Sequence, residues 1–184
     1  LGIYFDGDNP SVVAAVDPDG PAAKKNASRL PARPKRPFVI IDPRAGHGPG
    51  IGGSKRDSEI GVALAAGHPV YFIIFSIDPV PGQTIADVER AEVRFIEHVA
   101  LLHPEAGKPA VIGNCQGGWA SALINADRPD IVGPVVMNGS PLSYWSGPAG
   151  KDPLRYRGGL TGGLWLTSFF SDLGEGFFDG AILV

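Results

Sequence analysis

The chain has 184 residues, 43% of them hydrophobic, with a formal net charge of -3 and a pI near 5.8. That is enough apolar material for one globular domain with a core, and it argues against a second domain, a nucleic-acid footprint or a polyanionic partner. A single cysteine excludes an internal disulfide framework and any cysteine-based zinc site, so no metal is expected, and it suits a reducing compartment with the cytoplasm as the expected location.

No apolar run approaches the ~18 residues of a membrane span, and the amino terminus lacks the basic start and apolar core of a signal peptide. The sequence opens at Leu1 and closes in the apolar run Ala181 to Val184, which reads as an internal fragment of a larger protein, expected to be inactive and poorly soluble by itself.

Residues 1–36 hold one weak strand candidate, Ser11 to Val16, and then a stretch rich in Pro, Gly, Lys and Arg from Asp17. The basic run Lys24 to Arg36 reads as a solvated linker. At Pro37 the composition changes to the β-branched run Phe38-Val39-Ile40-Ile41, a strand, followed by the glycine-rich loop Arg44 to Gly53. Such a loop can turn backbone N–H groups toward a phosphate or an oxyanion. Neither a Walker A lysine-hydroxyl pair nor a G-x-G-x-x-G fingerprint is present in its proper frame, so the phosphate reading is the weaker and the oxyanion reading is favoured.

Ser54-Lys55-Arg56-Asp57 reads as a capping box opening a helix with the apolar face Ile60, Ala63 and Leu64, closed by Gly67. Val70 to Phe75 is apolar on both faces, as a central parallel strand covered by helices is. Thr84 to Asp87 repeats the capping signal, and Ile85, Val88, Ala91, Phe95, Val99 and Leu102 recur at helical spacing, which predicts a long amphipathic helix with charges opposite. His98 and His103, on or just past that helix, read as solvated surface, and His68 falls in a helix-strand turn.

The pattern then centres on Gly113-Asn114-Cys115-Gln116-Gly117-Gly118. This stretch joins the short strand Ala110-Val111-Ile112 to a small-residue helix, Trp119 to Ala126, and Val135 to Met137 follows as another strand. In a G-x-S-x-G nucleophile elbow the central residue sits on a strained strand-to-helix turn, and its successor's N–H faces an oxyanion. Here the central residue is Cys115, and Gly113, Gly117 and Gly118 allow the close approach of strand and helix. The bland alternative is a small buried cysteine beside a packing glycine pair. Strand-helix repetition around the turn favours the elbow, and it predicts an α/β fold with a mostly parallel sheet and flanking helices. From Ser140 the sequence becomes aromatic and glycine-rich. That composition predicts a cap or insertion spanning 140–184, set against a core over 37–139.

Several long stretches resemble the poly(3-hydroxyalkanoate) synthase-like proteins of bacteria, in the branch known as a domain of unknown function and often labelled 3-hydroxyalkanoate synthetase. They are F-V-I-I-D-P-R-A-G-H-G-P-G-I-G-G-S-K-R-D-S-E-I-G-V-A-L-A-A-G-H-P-V-Y-F, P-V-P-G-Q-T-I-A-D-V, H-P-E-A-G-K-P-A-V-I-G-N-C-Q-G-G-W-A, G-S-P-L-S-Y-W and S-D-L-G-E-G-F-F-D-G-A-I-L-V, which together run from about Pro37 to Val184. The resemblance implies a partial α/β-hydrolase fold and, for true synthases, a cysteine carrying the acyl chain as a thioester taken from coenzyme A. It also implies a histidine base and an aspartate downstream of the elbow. None of His47, His68, His98 and His103 is assignable as that base, although His47 lies in the glycine-rich loop. Gln116 stands where true synthases usually have a small apolar residue.

The expected chemistry is acyl transfer through Cys115. A free thiol is only a few per cent ionised at neutral pH, so a base or the dipole of the following helix must favour the thiolate. The oxyanion would be held by the Gln116 N–H and one from Arg44, Ala45 or Gly46. No cofactor is expected to stay bound. The expected partners are a 3-hydroxyacyl-CoA substrate or a polyester chain, with granule association and a homo-oligomer left open. Two rival readings are a cysteine-dependent hydrolase or thioesterase on the same scaffold, and a non-catalytic module that binds polyester granules or a partner protein.

Overall fold

A computed structural model of the chain describes residues 2–3, 12–15, 34–43, 51, 57–75, 80–140, 142–143, 148, 151 and 163–177. The chain divides into two compact units, Leu1–Leu142 and Ser143–Val184. The first unit carries β1 (Gly2–Ile3), β2 (Val12–Ala15), β3 (Phe38–Ile41), α1 (Glu59–Ala65), β4 (Val70–Phe75), α2 (Ile85–Leu102), β5 (Ala110–Asn114), α3 (Gln116–Asp127) and β6 (Val135–Asn138). The second carries α4 (Gly163–Leu173), a helix that the glycine-rich aromatic composition did not announce.

The strands form one sheet in the order β1-β2-β4-β3-β5-β6. β4, β3, β5 and β6 run parallel, while β2 pairs antiparallel with both β1 and β4. With helices between the parallel strands, this is the expected α/β class, arranged as a partial α/β-hydrolase-like fold. The weak candidate at Ser11 to Val16 is β2, lying beside β4.

Strand alternation divides the core into two layers. Val39, Ile41, Ile73 and Val111 face α2 and α3, where Val93, Phe95, Ile96, Val99, Ala120 and Ile124 meet them; Ile40, Val70 and Phe72 face α1 through Ala63, with Ile60 and Leu64 packed alongside. Val39, Ile40 and Ile41 are fully buried, so β3 is the axis of the unit; each such side chain is worth roughly 1.5–3 kcal/mol of burial.

Local signals explain most element ends. Thr84 and Asp87 form the predicted capping box on α2, the Asp87 carboxylate accepting from the Thr84 N–H at 2.7 Å. Gly67, at φ +85, ends the turn after α1 in a conformation that favours glycine. The N-cap of α1, however, is Ser58 and not Ser54. The Ser58 side chain accepts from the Gly61 N–H at 3.1 Å, so the helix starts one turn later than the Ser54–Asp57 box suggests, and residues 52–56 lie outside the described residues. On α2, Ile85 is 57% and Leu102 44% exposed, one at each end of the helix, and Glu92 is buried in its middle.

The expectation of solvated histidines needs correction at His103. It caps α2 half-buried, its Nε2 2.6 Å from the Tyr71 hydroxyl and its ring edge-on to Tyr71. Burial pushes its pKa below the ordinary 6.5, and pushes the Tyr71 hydroxyl up. The unfolded chain therefore takes up a proton at this ring more readily than the folded one. Stability supported by neutral His103 is complete above pH 6.5 and is lost as the pH falls through the lower, folded-state value. Denaturant titrations at pH 7.5 and pH 5 should show a drop in wild type and a smaller one in His103→Gln; equal drops would exclude His103 as the source.

Candidate functional site around Cys115

β5 ends at Asn114 and α3 begins at Gln116, so a single residue makes the reversal from strand to helix. That residue, Cys115, adopts φ 51 and ψ -114, and the only other described non-glycine residue at positive φ is Glu175. Side chains with a Cβ rarely occupy such a conformation, which typically costs on the order of 1–3 kcal/mol. The turn is held by flanking bonds: the Cys115 N–H donates to the Asn138 carbonyl of β6 at 2.9 Å, and the Gly118 N–H donates to the Cys115 carbonyl at 3.0 Å. The side chain is exposed, which removes the bland reading of a buried cysteine.

The glycines around it are demanded by contact. A Cβ on Gly113 would strike the Gly117 carbonyl and the Ser121 hydroxyl, one on Gly117 would lie 2.5 Å from the Ile41 carbonyl of β3, and one on Gly118 would strike Ser140. Ser121 is fully buried in the same crossing and donates to the Gly117 carbonyl at 2.7 Å. Helix α3 thus lies against β5 and β3 with its amino-terminal end under Cys115, where first-turn N–H groups lack intrahelical partners and the helix field favours negative charge. Gln116 is the first residue of that turn.

Of the other candidates, Arg44, Ala45, Gly46 and His47 lie outside the described residues. The described histidines are not brought to Cys115. His68 precedes β4, stacks on Phe38 and hydrogen-bonds through Nδ1 with the Arg36 carbonyl, while His98 and His103 belong to the end of α2 that leads into β5. All three sit toward the amino ends of the parallel strands, and Cys115 follows a carboxyl end. Five residues of β5 separate the two poles by roughly 15 Å.

The structure adds three polar residues that the motif did not point to. Asn114 is 6% exposed; its Nδ2 donates to Glu59 Oε2 at 2.9 Å, and its Oδ1 accepts from Asn138 Nδ2 at 2.9 Å. Glu59 is the first residue of α1 and is half-buried. Burial raises its carboxyl above the usual 4.5, and the Asn114 hydrogen bond opposes that rise. The bond between residues 59 and 114 spans 55 positions, beyond the reach of any local motif. No group of three His, Cys, Asp or Glu that could hold a metal ion occurs among the described residues, and no helix described there is long and apolar enough to cross a membrane.

An exposed cysteine on a strand-to-helix reversal at the carboxyl end of a parallel sheet defines the class: an α/β protein with an elbow turn. Residues 20–184 match the model of a protein family of unknown function, DUF3141, and the chain belongs to that family. It is 61% identical over 151 residues to an uncharacterized protein in the ackA 5' region of Rhizobium meliloti, an alignment that covers 82% of this chain and 21% of the relative. The chain therefore spans about a fifth of the length of the curated relative it matches. No solved structure matches it.

Proposed function

We propose that the protein is a poly(3-hydroxyalkanoate) synthase-like acyltransferase of the α/β-hydrolase superfamily, with Cys115 as its nucleophile and a 3-hydroxyacyl-CoA as acyl donor. The observation that carries this reading is the strained, exposed position of Cys115 at the head of α3. A thiolate there attacks the acyl carbonyl of the donor. The tetrahedral oxyanion is held by the Gln116 N–H and by an N–H of the Arg44-Ala45-Gly46 loop, and collapse releases coenzyme A as its thiol with the acyl group left on sulfur. A hydroxyl of a second 3-hydroxyacyl group then takes the acyl chain, or water does, giving polyester or free acid. The base that serves these steps is not His68, His98 or His103, whose positions are remote from Cys115; the resemblance puts it downstream of the elbow.

Incubating the purified full-length parent protein with a 3-hydroxyacyl-CoA should add the mass of one acyl group to the peptide containing Cys115, the sole thiol in the 184 residues. No adduct in folded protein, or an adduct at another residue, removes the proposal. Product analysis separates polymer from free 3-hydroxy acid.

A further inference from the structure

We propose that Glu59 is a positioning residue for Cys115, holding the Asn114 side chain, and through it Asn138, so that the turn between β5 and α3 keeps one orientation. The inference rests on the reading of Cys115 as an acyl-accepting nucleophile. Three elements meet in this chain of bonds. Asn114 and Asn138 are register partners at the last paired position of β5 and β6, and Glu59 reaches them from α1 on the sheet's other-layer face, the face that carries Ile40 and Ile112. Asn138 is bonded twice to the turn: its side chain donates to Asn114, and its carbonyl accepts the Cys115 N–H. Both halves of the Asn114 amide are therefore used, one by Glu59 on α1 and the other by Asn138, whose carbonyl also holds the strained residue.

An apolar residue at 114 would pack in that layer without needing partners, whereas a buried amide is favourable only while its bonds are made. The carboxyl that completes the chain is itself imperfectly placed: Glu59 Oε1 is buried with no hydrogen-bond partner among the described residues. A half-satisfied carboxyl beside a strained turn adds little to stability; the arrangement makes sense where the orientation of that turn matters.

Two measurements test this in the purified full-length parent protein. Hydrogen exchange of the elbow amides, read on the peptide covering residues 113–119, should quicken about 10-fold in Glu59→Ala and in Asn138→Ala but stay within about 3-fold in Glu59→Gln, whose amide oxygen still accepts from Asn114. Thioester formation at Cys115 should fall roughly 10- to 100-fold in the alanine variants and recover to within about 3-fold in Glu59→Gln, because a small misplacement of a nucleophile is amplified in the rate. Should Glu59→Ala not fold, Asn138→Ala breaks the same chain from its exposed end. Unchanged exchange in the alanine variants overturns the proposal, and so does a Glu59→Gln variant as impaired as Glu59→Ala. Quickened exchange with an unchanged thioester rate also overturns it, since the chain would then brace the fold and not the chemistry. A wild-type protein that forms no thioester defeats the acyl-transfer reading, and the exchange comparison then decides this proposal alone.

Discussion

Gly117→Ala and Gly113→Ala are each expected to destabilise the protein by about 3 kcal/mol, seen as a lowered denaturant midpoint with an unchanged slope. The reason is what the new methyl group would meet. At Gly117 it is the backbone carbonyl of the fully buried Ile41, the last residue of β3; at Gly113 it is the Gly117 carbonyl together with the buried Ser121 hydroxyl. Backbone oxygens cannot rotate away as a side chain would, so α3 must lift from the sheet, giving up part of the layer formed by Ala120 and Ile124 against Val39 and Val111. Gly82→Ala is the control. Gly82 is also at positive φ, +77, but has nothing within 4 Å of the added methyl, so only the backbone preference is lost, about 1 kcal/mol. If all three variants lose the same stability, close packing at the elbow is not what these glycines provide.

How much of this was legible in the sequence follows from the range of the interactions involved. Strands β3 and β4 and the capping box of α2 are written in contiguous residues, so Phe38–Ile41, Val70–Phe75 and Thr84–Asp87 fall where pattern and capping chemistry put them. The elbow is local too, six residues with a glycine on either side of a cysteine. The start of α1 was misplaced because two serines, Ser54 and Ser58, offer similar caps one turn apart, and the contact between the Ile60 N–H and the Ile51 carbonyl that accompanies the later start is not visible in composition. His103 reads as solvated in the sequence because its partner, Tyr71, is 32 positions away on β4, and no local pattern marks Glu59, whose link to Asn114 is longer still. The helix α4 was hidden by a composition that favours turns; on it Trp165, Phe169 and Leu173 recur every fourth residue, a helical spacing that could have been found, and each remains about half exposed or more.

Cys115→Gly is expected to yield a more stable and wholly inactive protein, and this opposition is the sharpest consequence of the site. At φ 51 and ψ -114 a side chain with a Cβ is strained by roughly 1–3 kcal/mol, and glycine adopts the same backbone without that penalty. The exposed thiol contributes little burial, so nothing is lost in return beyond the extra freedom glycine gives the unfolded chain, about 0.5–1 kcal/mol. The net gain is about 1 kcal/mol, readable as a raised denaturant midpoint. Cys115→Ala keeps the Cβ and most of the strain, and should match wild type in stability. Both variants lack the sulfur, so if the proposed function holds, acyl transfer from 3-hydroxyacyl-CoA by the full-length parent should fall by four orders of magnitude or more, roughly the scale on which removing a nucleophile acts. Activity retained in either variant would mean that some other group accepts the acyl chain, and a Cys115→Gly protein less stable than Cys115→Ala would mean that the turn is not strained.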